Sequence, residues 1–260
     1  TGLARFPILG RPSHCLEIEA ALADPHGLSS CLVAPDLGNC DDASAIRAIA
    51  EVAGPHLASL LGNPSLVQLG VGMGRTLKAA VEMMPRIQRP DLSIVSISGS
   101  LTRKLSANPF DVVQQLAERT GGALDLITVA TPTVAPSPVR DQAMPGDESR
   151  ERGKARATEY LNEVAERIRA SGYEGTLARD VIAPGNAARS IVRYLAEVDA
   201  DLVVMTTHGR GPLQRAWLGS TADGVIRRSP CPVLLLRPEE DPPLAEGETL
   251  DPVELTDRPG

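Results

Sequence analysis

VVMTTHGRGPLQRAWLGSTADGV, residues 203–225, is the stretch on which the reading of this chain turns. Val203, Val204 and Met205 run into Thr206 and a turn dense in glycine, and Gly219-Ser220-Thr221 follows after a mostly apolar interval. A short apolar run closed by glycine is how a buried strand passes into the next helix of a parallel sheet. In such sheets ligands sit beyond the carboxyl ends of the strands. Glycine lets the backbone approach an anion with no Cβ in the way, while converging N–H groups and a helix N-terminus supply the attraction. Gly209 and Gly211 therefore stand as phosphate-approach residues, Arg210 as a charge partner, and Gly219, Ser220 and Thr221 as donors at the last helix. The same residues also fit a purely architectural reading, with glycines for tight turns and Ser220 as an N-cap. The chain has no GxxxxGK[ST], which argues against a P-loop NTPase. His208 lies in the turn without a patterned nucleophile or carboxylate beside it, so binding is expected rather than catalysis.

Working outward, strand and helix signals alternate along the chain, which predicts an α/β protein with a parallel sheet flanked by helices. Strands are expected at 30–34 (SCLVA), 66–71 (LVQLGV), 92–98 (LSIVSIS), 124–130 (LDLITVA), 177–181, 202–206 and 233–236. Helices are expected at 15–23, at 43–61 with a break or kink at Gly54-Pro55, at 76–84 before Pro85, and at 110–119. A long helix follows, with Leu161, Val164, Ala165 and Ile168 on one face, then helices at 187–197 and 222–227. Residues 131–147, with four prolines, read as a loop or linker.

The chain has 260 residues, 42% of them hydrophobic, enough for ordinary globular cores. Its net charge of -7 is carried by the tail, where residues 239–260 hold eight acids and one base. The body is thus formally neutral and advertises neither a nucleic-acid face nor a membrane-binding basic patch. The acidic tail lacks apolar periodicity and is expected to be disordered. Cys15, Cys31, Cys40 and Cys231 show no zinc-ligand spacing, and free thiols suit a reducing compartment. With no apolar run of membrane length and no leader pattern, a cytoplasmic location is expected. Because the chain opens at Thr1 in a segment without helical period, something upstream is expected to be missing.

Residues 202–237, LVVMTTHGRGPLQRAWLGSTADGVIRRSPCPVLLLR, resemble the carboxyl half of a universal stress protein of the ATP-binding kind. That family's motif is glycine, two residues, glycine, nine residues, then Gly-Ser or Gly-Thr; here it reads Thr206, two residues, Gly209, nine residues, Gly219-Ser220. The departure is Thr206, a side chain where the motif has none. The likeness extends upstream to about residue 119 (RTGGALDLITVATP). It implies a Rossmann-like fold of the adenine nucleotide alpha hydrolase type and ATP, with magnesium, as ligand. It also implies that Val129 and Met205 border adenine, that Gly209, Gly219, Ser220 and Thr221 hold ribose and phosphates, and that turnover is at most slow ATP hydrolysis; Thr206, His208, Arg210 and Gly211 complete the expected nucleotide-binding set. The aspartate that the family places after its first strand falls at about Gly99 here. Its loss removes a charged acceptor worth about 1.5–3 kcal/mol.

Residues 66–77, LVQLGVGMGRTL, form a second strand-to-glycine-to-helix unit. Its Gly-x-Gly-x-Gly only loosely matches a dinucleotide fingerprint, and no acidic residue ends a strand about 20 residues on, so an NAD site is not expected. The turn still suits one phosphate. With RPSHCLEIEAAL, SSCLVAPD and SISGSLTRKLSANPFDVVQQLAERTGG it is similar to the effector domain of SorC-type sugar-binding transcriptional regulators, over about residues 11–122. That resemblance implies a phosphorylated sugar at the carboxyl edge of the sheet, held by Gly72, Gly74, Arg75, Thr76, Ser100 and Thr102.

The expectation is therefore a partial sugar-binding segment over 1–90, a stress-protein-like nucleotide domain over 91–238 with its junction near 119–147, and the tail. Residues 1–90 would either extend the sheet or form a loose lobe. The expected function is nucleotide binding and signalling; residues 233–236 are apolar enough for a core strand, and the stress-protein resemblance implies that the same strand can pair across a homodimer. The alternative is a sugar-phosphate-sensing fragment of a regulator whose DNA-binding part lies elsewhere.

Overall fold

The apolar runs become strands whose side chains alternate between two helical layers. The computed structural model describes residues 12–35, 42–98, 110–130, 147–182, 186–206 and 220–236. Along the chain lie α1 (Ser13–His26), α2 (Asp42–Leu61), β1 (Gln68–Val71), α3 (Arg75–Met83), β2 (Ser93–Ser98), α4 (Asp111–Thr120) and β3 (Ala123–Val129). They are followed by α5 (Asp147–Ala170), β4 (Leu177–Ile182), α6 (Ala187–Glu197), β5 (Leu202–Thr206), α7 (Ser220–Ile226) and β6 (Val233–Leu236). The strands form one six-stranded sheet in the order β4-β3-β2-β1-β5-β6, every pair parallel.

One face carries Leu69, Val71, Ile94, Leu124, Leu126, Leu202 and Val204 against α2, α3, α4 and α5. The other carries Val95, Ile97, Ile127, Val203 and Met205 against α6 and α7. This period of two is what parallel strands covered on both faces require. Leu57, Leu61, Leu69, Leu77 and Phe110 are fully buried, each contributing about 1.5–3 kcal/mol.

β1, from the amino-terminal part, lies inside the sheet. Leu69 pairs with Ile94 of β2 on one side and with Leu202 of β5 on the other. Of the two arrangements the sequence leaves open for this part, β1 joins the sheet, and it separates β2 from β5. Residues far apart in sequence hold it there. The Asp201 carboxylate accepts from the N–H groups of Val67 and Gln68, both at 2.8 Å, and the Asp201 N–H donates to the Gln68 carbonyl at 2.8 Å. Above β1, Leu195 of α6 occupies the space a side chain at Gly70 would need, its Cδ2 only 2.9 Å from that Cβ position.

At the amino edge of the sheet Arg89, 8% exposed, ties three turns together. Its guanidinium donates to the carbonyls of Leu61, Asn63 (2.7 Å) and Leu66 (2.5 Å) and to the Asp91 carboxylate (2.9 Å). The hydrogen bond from Arg89 holds the Asp91 carboxyl below the usual carboxylate range.

Two expectations are corrected. Residues 30–34 form no strand: the Val33 N–H donates to Glu19 Oε1 of α1 at 2.8 Å, and the segment has no ladder partner. Nor does α2 break at Gly54-Pro55. It runs through both, because Gly54 is where α2 meets α3: a Cβ there would lie 2.8 Å from the Met83 carbonyl carbon. The tail lies outside the described residues.

Candidate functional site

β1, β2, β3 and β4 step in one direction across the sheet, and β5 returns to the far side of β1. The strand order therefore reverses between β1 and β5, and the crevice outside their carboxyl ends is where an open α/β sheet takes its ligand. The glycine turn after β1 and the carboxyl end of β5 meet at this crevice. The other glycine unit begins where β5 ends at Thr206.

The β1 turn is built against β5. The ladder continues past Val71, with the Gly72 N–H donating to the Val204 carbonyl at 2.8 Å. The Thr206 hydroxyl then donates to the Met73 carbonyl at 2.8 Å. Gly74 has φ +149°, and a Cβ on it would lie 2.2 Å from Thr206 Oγ1. A Cβ on Gly72 would lie 3.0 Å from the Met205 Cβ. The bare sides of both glycines thus face Met205 and Thr206; only glycine fits at 74, while a side chain at 72 would press on Met205. From Gly74 the chain enters α3, whose first intrahelical bond is Lys78 N–H to the Gly74 carbonyl at 2.9 Å. The N–H groups ahead of Lys78 belong to a first turn that has no intrahelical acceptors and attracts anions. Arg75 is exposed at that turn, and Thr76 is buried at 5% exposure.

Gly72, Gly74, Arg75, Thr76, Met205 and Thr206 are therefore brought to one place. Val129 is not among them. It ends β3, three strands from β5 in the sheet order, about 14 Å at the usual strand spacing. Val129 and Met205 share the buried layer under α6 and α7. Thr221 is half-buried in α7, which begins at Ser220. His208, Gly209, Arg210, Gly211, Gly219, Ser100 and Thr102 lie outside the described residues. No group of three or more metal-ligating side chains occurs among the described residues. No helix among them is long and apolar enough to cross a membrane.

Sequence reasoning missed an ionisable cluster under α6. The Tyr194 hydroxyl lies 2.6 Å from Asp125 Oδ2 and 2.9 Å from Asp180 Oδ2. A phenol has one proton, so it donates to one carboxylate at a time. Burial raises the Asp125 carboxyl above its usual range, against the Tyr194 hydrogen bond, and the Asp180 charge adds to the rise. Burial, then Asp125 and Asp180, push the Tyr194 phenol upward as well. A raised Asp125 favours folding fully only below its unfolded value of about 3.9, and that contribution is lost as pH rises through the native value. Asp125→Asn is thus expected to stabilise the protein by about 1 kcal/mol at neutral pH. It should also flatten the decline in stability above pH ~4; urea denaturation from pH 4 to 8 measures both.

Two family models match the chain. The one described as the universal stress protein family covers residues 103–237, and the one described as a putative sugar-binding domain covers residues 10–150. The chain is 38% identical to the erythritol catabolism regulatory protein EryD of Brucella abortus over 120 residues, 46% of this chain and 37% of that protein. It is 37% identical over 78 residues to a universal stress protein of Thermus aquaticus, 29% of this chain and 57% of that one. It therefore spans less than two thirds of either relative. Among solved structures, the full-length sorbitol operon regulator SorC of Klebsiella pneumoniae is similar with a TM-score of 0.47 at 16% identity, over 86% of this chain and 61% of that one.

Proposed function

We infer that this chain, which belongs to both the universal stress protein family and the putative sugar-binding domain family, binds a phosphorylated small molecule at the β1/β5 crevice. It signals by being occupied rather than by turning the ligand over. The observation that carries this reading is the position of the Gly72–Thr76 turn at the one reversal of strand order. A phosphate there would meet the first-turn N–H groups of α3, the Thr76 hydroxyl and the Arg75 guanidinium, the donor set that phosphates select. A sugar phosphate is the ligand class this turn supports best, in keeping with the name of EryD. A DNA-binding part, if this chain serves a regulator, belongs to another segment or chain.

A second reading, ATP with magnesium, is favoured by β5 ending at Met205-Thr206 in the same crevice, where the stress-protein motif begins. Gly209, Gly219, Ser220 and Thr221 would then hold ribose and phosphates. β6 is an edge strand with Leu235 exposed, which suits the homodimer this reading implies.

Titration of the full chain with glucose-6-phosphate and separately with Mg-ATP, followed by calorimetry and by the fluorescence of Trp217, the single tryptophan, tests both. Saturable sugar-phosphate binding, weakened about tenfold in Arg75→Ala through loss of one charge-assisted contact, is the expected result. Binding of Mg-ATP alone, lost in Gly209→Asp and Gly219→Asp, would establish the second reading instead. Silence toward both would overturn the proposal.

A further inference from the structure

We propose that Thr206 is a positioning residue that sets the anion-binding turn after β1 and so determines which ligand class the crevice takes. This rests on the sugar-phosphate reading above. The geometry begins with one peptide unit. The Thr206 hydroxyl donates to the Met73 carbonyl at 2.8 Å, pinning that oxygen toward β5. In a trans peptide the N–H points opposite to the C=O, and the chain has no cis peptide bond among the described residues. The Gly74 N–H is therefore directed away from β5. Thr206 is 6% exposed, and its Oγ1, Cβ and Cγ2 lie 2.2, 3.2 and 3.2 Å from where a Gly74 Cβ would be. The threonine thus works twice, orienting the Met73-Gly74 peptide through its hydroxyl and filling the space beside Gly74 with its side chain.

This assigns a reason to the departure at position 206. A glycine there, as in the stress-protein motif, would leave the Met73 carbonyl without its donor and the Gly74 backbone without its backing. The position that begins the nucleotide motif is here occupied by a side chain turned to the other glycine unit, 133 residues away in sequence. The crevice is consequently set for a phosphate on the β1 turn.

Three variants of the full chain separate the outcomes. Thr206→Val keeps the shape and removes the hydroxyl, Thr206→Ser keeps the hydroxyl, and Thr206→Gly removes both. Glucose-6-phosphate affinity is expected to fall about tenfold in Thr206→Val, more in Thr206→Gly, and to stay within about twofold of wild type in Thr206→Ser, in line with the loss or retention of one hydrogen bond to the turn. Mg-ATP affinity should be unchanged or higher in Thr206→Gly. A ligand-independent readout accompanies these: tryptic cleavage after Arg75 should accelerate in Thr206→Val and Thr206→Gly but not in Thr206→Ser. Equal glucose-6-phosphate affinity in wild type and Thr206→Val, with Arg75→Ala still weakening binding about tenfold, would overturn the role of Thr206 and leave the sugar-phosphate reading standing. Loss of melting temperature in Thr206→Val without loss of affinity would reduce Thr206 to a structural residue. Absence of glucose-6-phosphate binding in wild type would overturn both.

Discussion

Gly74→Ala is expected to destabilise the protein by about 3 kcal/mol or more, from overpacking and from backbone strain together. The added Cβ would sit 2.2 Å from Thr206 Oγ1, on a residue whose φ of +149° L side chains rarely adopt. Neither partner can yield easily, since the hydroxyl is held on the Met73 carbonyl and the strand behind it is buried. Urea denaturation would measure the loss, and calorimetry at a temperature where the variant is still folded should show weakened glucose-6-phosphate binding. The double variant Gly74→Ala/Thr206→Gly removes the overlap and keeps the backbone strain, so it should recover roughly half of the lost stability. A Gly74→Ala protein as stable as wild type would contradict the close approach of the β1 turn to β5.

Arg89→Met should cost a similar amount, about 3 kcal/mol or more, by a different mechanism. Methionine fills much of the same space but donates nothing. The carbonyls of Leu61 and Leu66, which accept from the guanidinium in buried hydrogen bonds, would be left without it. Arg89→Lys is not expected to rescue, because one ammonium cannot reproduce a planar fork reaching carbonyls of Leu61, Asn63 and Leu66 and the Asp91 carboxylate at once. Since typical domains hold only about 5–15 kcal/mol in reserve, the melting temperature of Arg89→Met should fall by several degrees. An unchanged value would mean that water replaces the guanidinium at those carbonyls.

Most of the elements were legible in the sequence because their causes are local. The apolar run at 202–206, the period of Leu161, Val164, Ala165 and Ile168, and the stop at Pro85 each act within one turn or one strand. The exceptions have non-local causes. SCLVA has the composition of a strand, yet its Val33 N–H is taken by Glu19 of α1. Gly54-Pro55 carries a helix-breaking signature, but α3 packs so closely there that the helix runs on.

For the site, the sequence by itself determined the residue types: two glycine-bearing turns after apolar strands, with Arg75, Thr76 and the hydroxyls of 220–221 as donors. It also determined that the turns carry the signatures of two families. Only the tertiary structure decided that β1 lies between β2 and β5, so that the β1 turn and the end of β5 meet at one crevice and Val129 stands three strands away from Met205. The physical reason is that strand order is set by contacts between residues more than 130 positions apart, such as Asp201 with Gln68 and Thr206 with Met73. Such pairings leave no period in the sequence. They become visible when the buried backbone groups of β1 must find partners on both sides.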